Sequence, residues 1–238
     1  MSATQQYPTL EQFAANVAML VGKIEVIEQE MYDRITYPHL GLNQFVFFAN
    51  PKGGGFSSES GSAAVGKTDA DTNMTQNGQL PSPQAFWIDS IQADFDPGST
   101  VGSVNDFTTL IPSVAVAAAA ITDATGVQDK NAVLNAGWLQ LSIGTKPYYQ
   151  NGPLSYFPPR AQKRVDISRG NSDTTTHTDV TTSLMWVYGD LRTLYPGLGV
   201  ATGVNFQVTV NFPVLQATVT NNGRIKVNLG GWLFRAAQ

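Results

Sequence analysis

The sharpest chemical pattern in the chain is Gly61-Ser-Ala-Ala-Val-Gly66-Lys67-Thr68, a full match to the phosphate-cradling loop G-x-x-x-x-G-K-[ST]. In a nucleotide-binding enzyme that loop joins a buried strand to a helix whose first amides hold the phosphates. Neither flank fits here. Gly53-Gly54-Gly55 and the serines after it read as no strand. Asp69-Ala70-Asp71-Thr72-Asn73 reads as no helix, and it sets carboxylates where phosphate would sit. Phe86-Trp87-Ile88-Asp89 imitates a second-motif aspartate but follows too closely for an intervening helix and strand. A Gly/Ser/Ala-rich loop meets this pattern easily by chance, so ATP hydrolysis through Lys67 stands last of three functional readings.

Other candidates for chemistry are thinner. His39 and His177 lie far apart, and His177 sits in Asp173-Thr-Thr-Thr-His-Thr-Asp179, where alternate side chains would share one face of a strand. A metal site needs three or more converging groups, and a polar surface loop accounts for this run. Asp94 and Asp96, just before Pro97-Gly98, suit a carboxylate pair or a Ca²⁺ ligand set; a turn with Asx hydrogen bonds explains them without function. No Ser/His/Asp order stands out, and with no cysteine there is no thiol nucleophile. The expectation is no enzyme, no cofactor and no metal.

Aromatics give a different signal. Trp138, Tyr148, Tyr149, Tyr156 and Phe157 bracket prolines and glycines, with Lys146 and Arg160 alongside. Such loops make either a sugar-stacking platform or a protein interface, and the adjacent cations favour the interface.

The elements that must position these groups fall into two parts. Thr9 with Gln12 forms a capping-box pattern. Leu10, Phe13, Val17, Leu20, Ile24, Ile27 and Met31 then recur at spacings of three and four, a heptad seam. The spacing predicts one helix over Thr9–Arg34, about 39 Å long, within an arm of residues 1–37. Its polar face is acidic, with Glu11, Glu25, Glu28, Glu30 and Asp33 against Lys23 and Arg34. That sign disfavours a membrane surface and is wrong for an arm that condenses nucleic acid. The seam is expected to pack on protein. The basic cluster Arg160, Lys163, Arg164 and Arg169 is read as a solvated loop or a partner for carboxylates on a neighbour, so strong direct nucleic-acid binding is not expected.

From residue 38 to 238 the composition changes. No Glu follows Glu59, and Gly, Asn, Thr, Ser and Pro become common, as in strands and turns. Strands are expected at Leu42–Ala49, at Phe86–Phe95 with a bulge near Ser90, and at 104–110. Others follow at Leu139–Ile143, around Leu184–Tyr188, and at Val204–Phe212, the cleanest alternation in the chain. A hairpin is expected over 214–229, turning at Asn222-Gly223, before Gly230-Gly231 breaks the register. Val114–Ile121 reads as a small buried helix or turn; 50–82 and 150–180 read as loops. About eight strands with no βαβ alternation describe an all-β antiparallel jelly-roll sandwich, a single barrel with a leading helix.

Composition points toward assembly. Only 13% of the 238 residues are charged, for a net charge of −4, where about 25% is usual. A chain so poor in charge is expected to cover its surface with copies of itself. No apolar run approaches the length of about 20 residues that spans a bilayer, and no signal peptide is evident at the N-terminus. A soluble chain made in the cytosol is expected.

Leu139-Gln-Leu-Ser-Ile-Gly-Thr-Lys-Pro-Tyr-Tyr149, Gly152-Pro-Leu-Ser-Tyr-Phe-Pro-Pro159, Leu80-Pro-Ser-Pro-Gln-Ala-Phe-Trp-Ile88 and Gly223-Arg-Ile-Lys-Val-Asn-Leu-Gly-Gly-Trp-Leu-Phe-Arg235 together resemble segments of jelly-roll major capsid proteins from tailless icosahedral DNA bacteriophages. The resemblance spans residues 42 to 238. It implies a structural shell protein without enzymatic activity, assembled in the bacterial host cytoplasm and residing in the virion. Its partners would be copies of itself, minor capsid proteins and, in some members, an internal lipid membrane. Many such proteins carry two barrels, whereas this chain reads as one. The expected assembly contacts are Leu10, Phe13, Val17, Leu20, Ile24, Ile27, Met31, Tyr148, Tyr149, Tyr156, Phe157 and Arg160. A carbohydrate- or host-receptor-binding sandwich is the alternative.

Overall fold

A computed structural model describes residues 9–58, 65–97, 124–169, 180–188, 191–212 and 218–237. The helix predicted over Thr9–Arg34 is half helix and half strand. Thr9 caps α1 (Leu10–Val21) with the reciprocal Thr9/Gln12 capping box. Gly22, at φ 82°, then ends the helix, a backbone state open to glycine at no steric cost. Beyond it Ile24, Val26, Ile27, Ile35 and Thr36 belong to β1 (Ile24–Tyr37). β-branched side chains favour the pleated backbone, so the heptad count ran across a helix end and into a strand. Ile24, Ile27 and Met31 therefore lie in a sheet and form no helical seam.

Among the described residues nine further strands follow: β2 (Gln44–Phe47), β3 (Ala85–Asp96), β4 (Trp138–Ile143), β5 (Lys146–Asn151), β6 (Ala161–Arg169), β7 (Val180–Tyr188), β8 (Arg192–Val200), β9 (Phe206–Asn211) and β10 (Gly223–Ala236). A second helix, α2 (Ala124–Ala136), precedes β4. The chain is mostly antiparallel β, with one four-stranded sheet in the order β1-β10-β3-β8 and another in the order β2-β9-β4-β5. β6 and β7 form a separate two-stranded ribbon. The stretch read as a 150–180 loop thus contains the whole of β6. β8 went unread because Pro196 and Gly197 interrupt its pattern, and the ladder to β3 is itself irregular there. The expected strands at 104–110 and the Val114–Ile121 segment lie outside the described residues. β10 runs unbroken from Gly223; the first arm of the expected 214–229 hairpin lies partly outside them.

One core lies between the two four-stranded sheets. Met31, Tyr37, Phe86, Ile88, Ile91, Phe95, Ile225, Val227 and Leu229 come from the first; Phe45, Phe47, Leu139, Leu141, Val208 and Val210 come from the second. Tyr37 stacks on Phe45 across the gap, ring centroids 5.0 Å apart, and burial pushes its phenol up to about 12. The alternation predicted for Val204–Phe212 is met in part: Phe206, Val208 and Val210 are buried and Gln207 is exposed, but Thr209, expected on the outer face, is buried too.

The predicted slip near Ser90 is a bulge. The β3–β8 register shifts between Ile88 and Ser90, and the β10–β3 register shifts between Gly230 and Gly231. A Cβ at Gly231 would stand 1.9 Å from the Trp87 carbonyl oxygen, so only glycine permits that approach. Past the bulge, Trp87, Ala85 and Phe234 turn to the outer face of the first sheet. There Phe13 and Val17 of α1 cover them, with Phe13 5.5 Å from both the Trp87 and Phe234 rings.

Candidate functional site

Lys67, the residue on which a nucleotide site would depend, is buried and forms an ion pair with the fully buried Asp33 of β1. Asp33 also accepts hydrogen bonds from the backbone N–H of Phe48 (2.6 Å) and Arg34 (3.1 Å). Burial raises its carboxyl above the ordinary value, opposed by the Lys67 charge and by these donors. The loop's second glycine is explained equally well. A Cβ on Gly66 would lie 2.4 Å from the Gly53 carbonyl oxygen. That closeness permits the ladder Gly53 N–H to Lys67 O and Lys67 N–H to Gly54 O.

The same segment is tied along β1. Asp71 accepts from the Ser58 backbone and hydroxyl and from the Thr68 backbone, and these bonds hold its carboxyl low against the upward pull of burial. The Arg34 N–H donates to Asp71 O, the Thr72 hydroxyl to Tyr32 O, and the Tyr32 N–H to Asn73 Oδ1. Residues 67–73 therefore close the outer edge of β1 between Glu30 and Arg34. The Lys67 ammonium aims at a carboxylate, so the described part of this segment builds an edge cover; residues 61–64 of the motif lie outside the described residues.

Asp94 and Asp96 belong to the end of β3, and Gly98, whose N–H an Asx turn from Asp96 would use, lies outside the described residues. The two aspartates sit on the outer face of β3, nearly buried, with Lys130 of α2 at 2.7 Å from Asp94 and Lys226 at 3.2 Å from Asp94 and 3.4 Å from Asp96. Burial raises Asp94, but the Lys226 and Lys130 charges outweigh it and its pKa ends below the ordinary value. Lys226 is raised in turn, its own desolvation outweighed by the two carboxylates. Arg224 lies 3.9 Å from Asp96. The group fastens α2 and β10 onto β3. Among the described residues no cluster of three or more His, Asp or Glu suits a metal ion. His39 is exposed and takes part through its backbone, and His177 lies outside the described residues.

The expected assembly contacts divide. Phe13, Val17, Met31 and Phe157 are buried within this chain's own fold, so they cannot meet another molecule as they stand. Tyr148 and Tyr149 pack against the core; Tyr149 meets Phe157 edge-on at 5.9 Å, and its hydroxyl accepts from Arg192 Nε and Asn151 Nδ2. That fixes Tyr149 and leaves it poorly placed to stack on a sugar. Leu10, Leu20 and Tyr156 are exposed, at 37%, 78% and 58%. Ile24 and Ile27 are half-buried, and the Arg160 side chain is exposed while its N–H donates to Gln92 Oε1.

Reading by periodicity missed other exposed apolar groups: Met19 at 80%, Phe56 at 63% and Tyr195 at 101%. Tyr195-Pro196-Gly197 is a turn signal inside what proved to be a strand, and that conflict could have marked it. A shallow apolar groove of about 290 Å³ lies between Phe13, Val17 and Leu20 of α1 and Ile143, Tyr148 and Leu198. A larger, more polar hollow of about 590 Å³ opens at the Gly230-Gly231 bulge, edged by Glu28, Glu30, Asp89 and Arg160. No helix among the described residues is long and apolar enough to cross a membrane. Comparison with protein-family models, with curated proteins and with solved structures finds no match.

Proposed function

We propose that this chain is a structural shell subunit, a single jelly roll of the phage major-capsid type, that tiles with copies of itself into an icosahedral particle. The observation that supports the reading best is the winding of the two sheets. Along the chain β1 lies in one sheet, β2 in the other, β3 in the first and β4–β5 in the second; β8, β9 and β10 continue the exchange. Eight strands wound alternately between two sheets are the pattern of a jelly roll, a fold that viral capsids share with lectins and cupins. Fold alone does not select among these. The exposed Met19, Leu20, Phe56 and Tyr195, on a chain with few charges, favour a surface that is covered by other copies. Minor capsid proteins and, beneath the shell, a lipid membrane are further partners in this proposal, and the virion its location.

Negative-stain electron microscopy and light scattering of the purified full chain at high concentration test the reading. Closed shells, or their pentameric and hexameric pieces, are expected. A chain that stays monomeric under shell-promoting salt and crowding conditions overturns it.

A further inference from the structure

The N-terminal half of β1 is an open sheet edge. Odd-numbered residues of β1 exchange backbone hydrogen bonds with β10, as the pair Ala237 N–H to Lys23 O continues. In an antiparallel ladder the even-numbered residues then point their N–H and C=O the other way. From Glu30 to Arg34 those groups meet residues 71–73. Ahead of them, the outward groups of Ile24, Val26 and Glu28 have no pairing strand among the described residues, and Val26 and Glu28 are exposed. Such an edge is a template for another chain. It carries Glu25, Glu28 and Glu30, of which Glu25 bonds Arg235 and Glu30 bonds Gln92 and Asn228.

A strand of the opposite sign lies in the β6–β7 ribbon, which joins neither four-stranded sheet. Beyond Ile91, the place beside β3 is taken by the segment entering β6, through Ala93 N–H to Phe157 O and Arg160 N–H to Gln92 Oε1. By sequence β6 (AQKRVDISR) carries Lys163, Arg164 and Arg169 against Asp166, and among the described residues its one ladder is with β7. A lone two-stranded ribbon is marginal in water and gains from a third strand. We propose that the β6–β7 ribbon of one copy adds, through β6, to the β1 edge at Ile24–Glu28 of a second copy. This rests on the assembly reading above and names its contact. Because donor and acceptor are different surfaces of the chain, the contact is head-to-tail, and it forms a ring where the rotation between copies closes. The acidic residues along β1 disfavour the alternative, β1 pairing with its own copy.

The chain lacks cysteine, so single introduced cysteines report cleanly. Glu28→Cys and Val165→Cys chains, each full length, are mixed under assembling conditions, oxidised, and read on a non-reducing gel beside electron micrographs of the same sample. A mixed disulfide dimer that appears only in the mixture supports the proposal, as does its several-fold loss when Val26→Pro is added to the first chain. Particles without the mixed dimer overturn this contact and leave the assembly reading standing. A Glu28→Cys dimer formed without the second chain overturns it in favour of edge-to-edge pairing. Monomers throughout, by light scattering, overturn both. A Lys163→Cys chain in place of Val165→Cys guards against a variant that fails to fold.

Discussion

Replacing Lys67 by methionine separates a structural lysine from a phosphate-binding one. In the parent the ammonium sits against Asp33 in a space where both side chains are almost wholly buried. Removing one partner of a buried pair leaves the other charge uncompensated, at a cost of about 3–5 kcal/mol. For a domain of this size each kcal/mol moves the midpoint by about 2–4 °C, so Lys67→Met should melt roughly 6–20 °C below the parent. The pH dependence supplies a second signature. Asp33 is already raised by burial, so its contribution to stability is complete below the ordinary carboxylate value and fades as pH rises through the folded one. Without Lys67 the folded value climbs further, because only the Phe48 and Arg34 backbone donors are left to offset desolvation. The deficit of Lys67→Met should therefore be small near pH 4 and grow toward pH 8. The double variant Asp33→Asn/Lys67→Met removes both charges and should recover most of the loss. Differential scanning fluorimetry across pH, with and without Mg·ATP, reads all three. A Lys67→Met chain as stable as the parent at pH 8, or a parent that Mg·ATP stabilises while the variant is not, would refute the reasoning.

Gly231→Ala should lower the midpoint and yield little soluble protein, because the new methyl meets the Trp87 carbonyl; Gly203→Ala, in open space but at φ 72°, should cost about 1 kcal/mol, and equal losses at both sites would contradict the bulge geometry. Phe13→Ala removes the ring that joins α1 to Trp87 and Phe234, a deletion worth about 3–5 kcal/mol in a core. Because a terminal helix can release locally, the expected readout is faster tryptic cleavage after Lys23 with only a small midpoint shift; unchanged cleavage would show that α1 is held elsewhere. Asp94 and Asp71 are held below their ordinary values, so the stability they add is present above about pH 4 and is lost as pH falls through the folded values. Asp94→Asn should accordingly flatten the acid limb of the stability profile and weaken the hold on α2, and an unaltered acid limb would contradict the assigned ion pairs.

What could be read from residues alone was the part governed by strict alternation. Phe206, Val208 and Val210, or Leu139, Leu141 and Ile143, place one face in a core wherever they occur, and the Ser90 slip announced a bulge that Gly230-Gly231 answers from the neighbouring strand. The capping box at Thr9 likewise marked a true helix start. The helix end was missed because Ile24, Ile27 and Met31 continue a three-four spacing past Gly22 by coincidence, while the β-branched content and the glycine itself favoured a strand. β8 was hidden because Pro196 and Gly197 read as a turn. The role of Lys67 lay beyond local pattern altogether: its partner Asp33 is 34 residues away, and only the tertiary fold brings the two together. The expected contacts suffered likewise, since an apolar residue spaced for an interface and one spaced for a core look the same until burial separates Phe13 and Phe157 from Leu20 and Tyr156.

Sedimentation velocity of the purified full chain, followed from micromolar to near-millimolar concentration, asks most directly whether this sandwich exists to tile. The 25.6 kDa species is expected to give way to ring-sized assemblies and then to megadalton particles as concentration rises. A single boundary at the monomer mass across the whole range, with the sandwich still folded by circular dichroism, would contradict it.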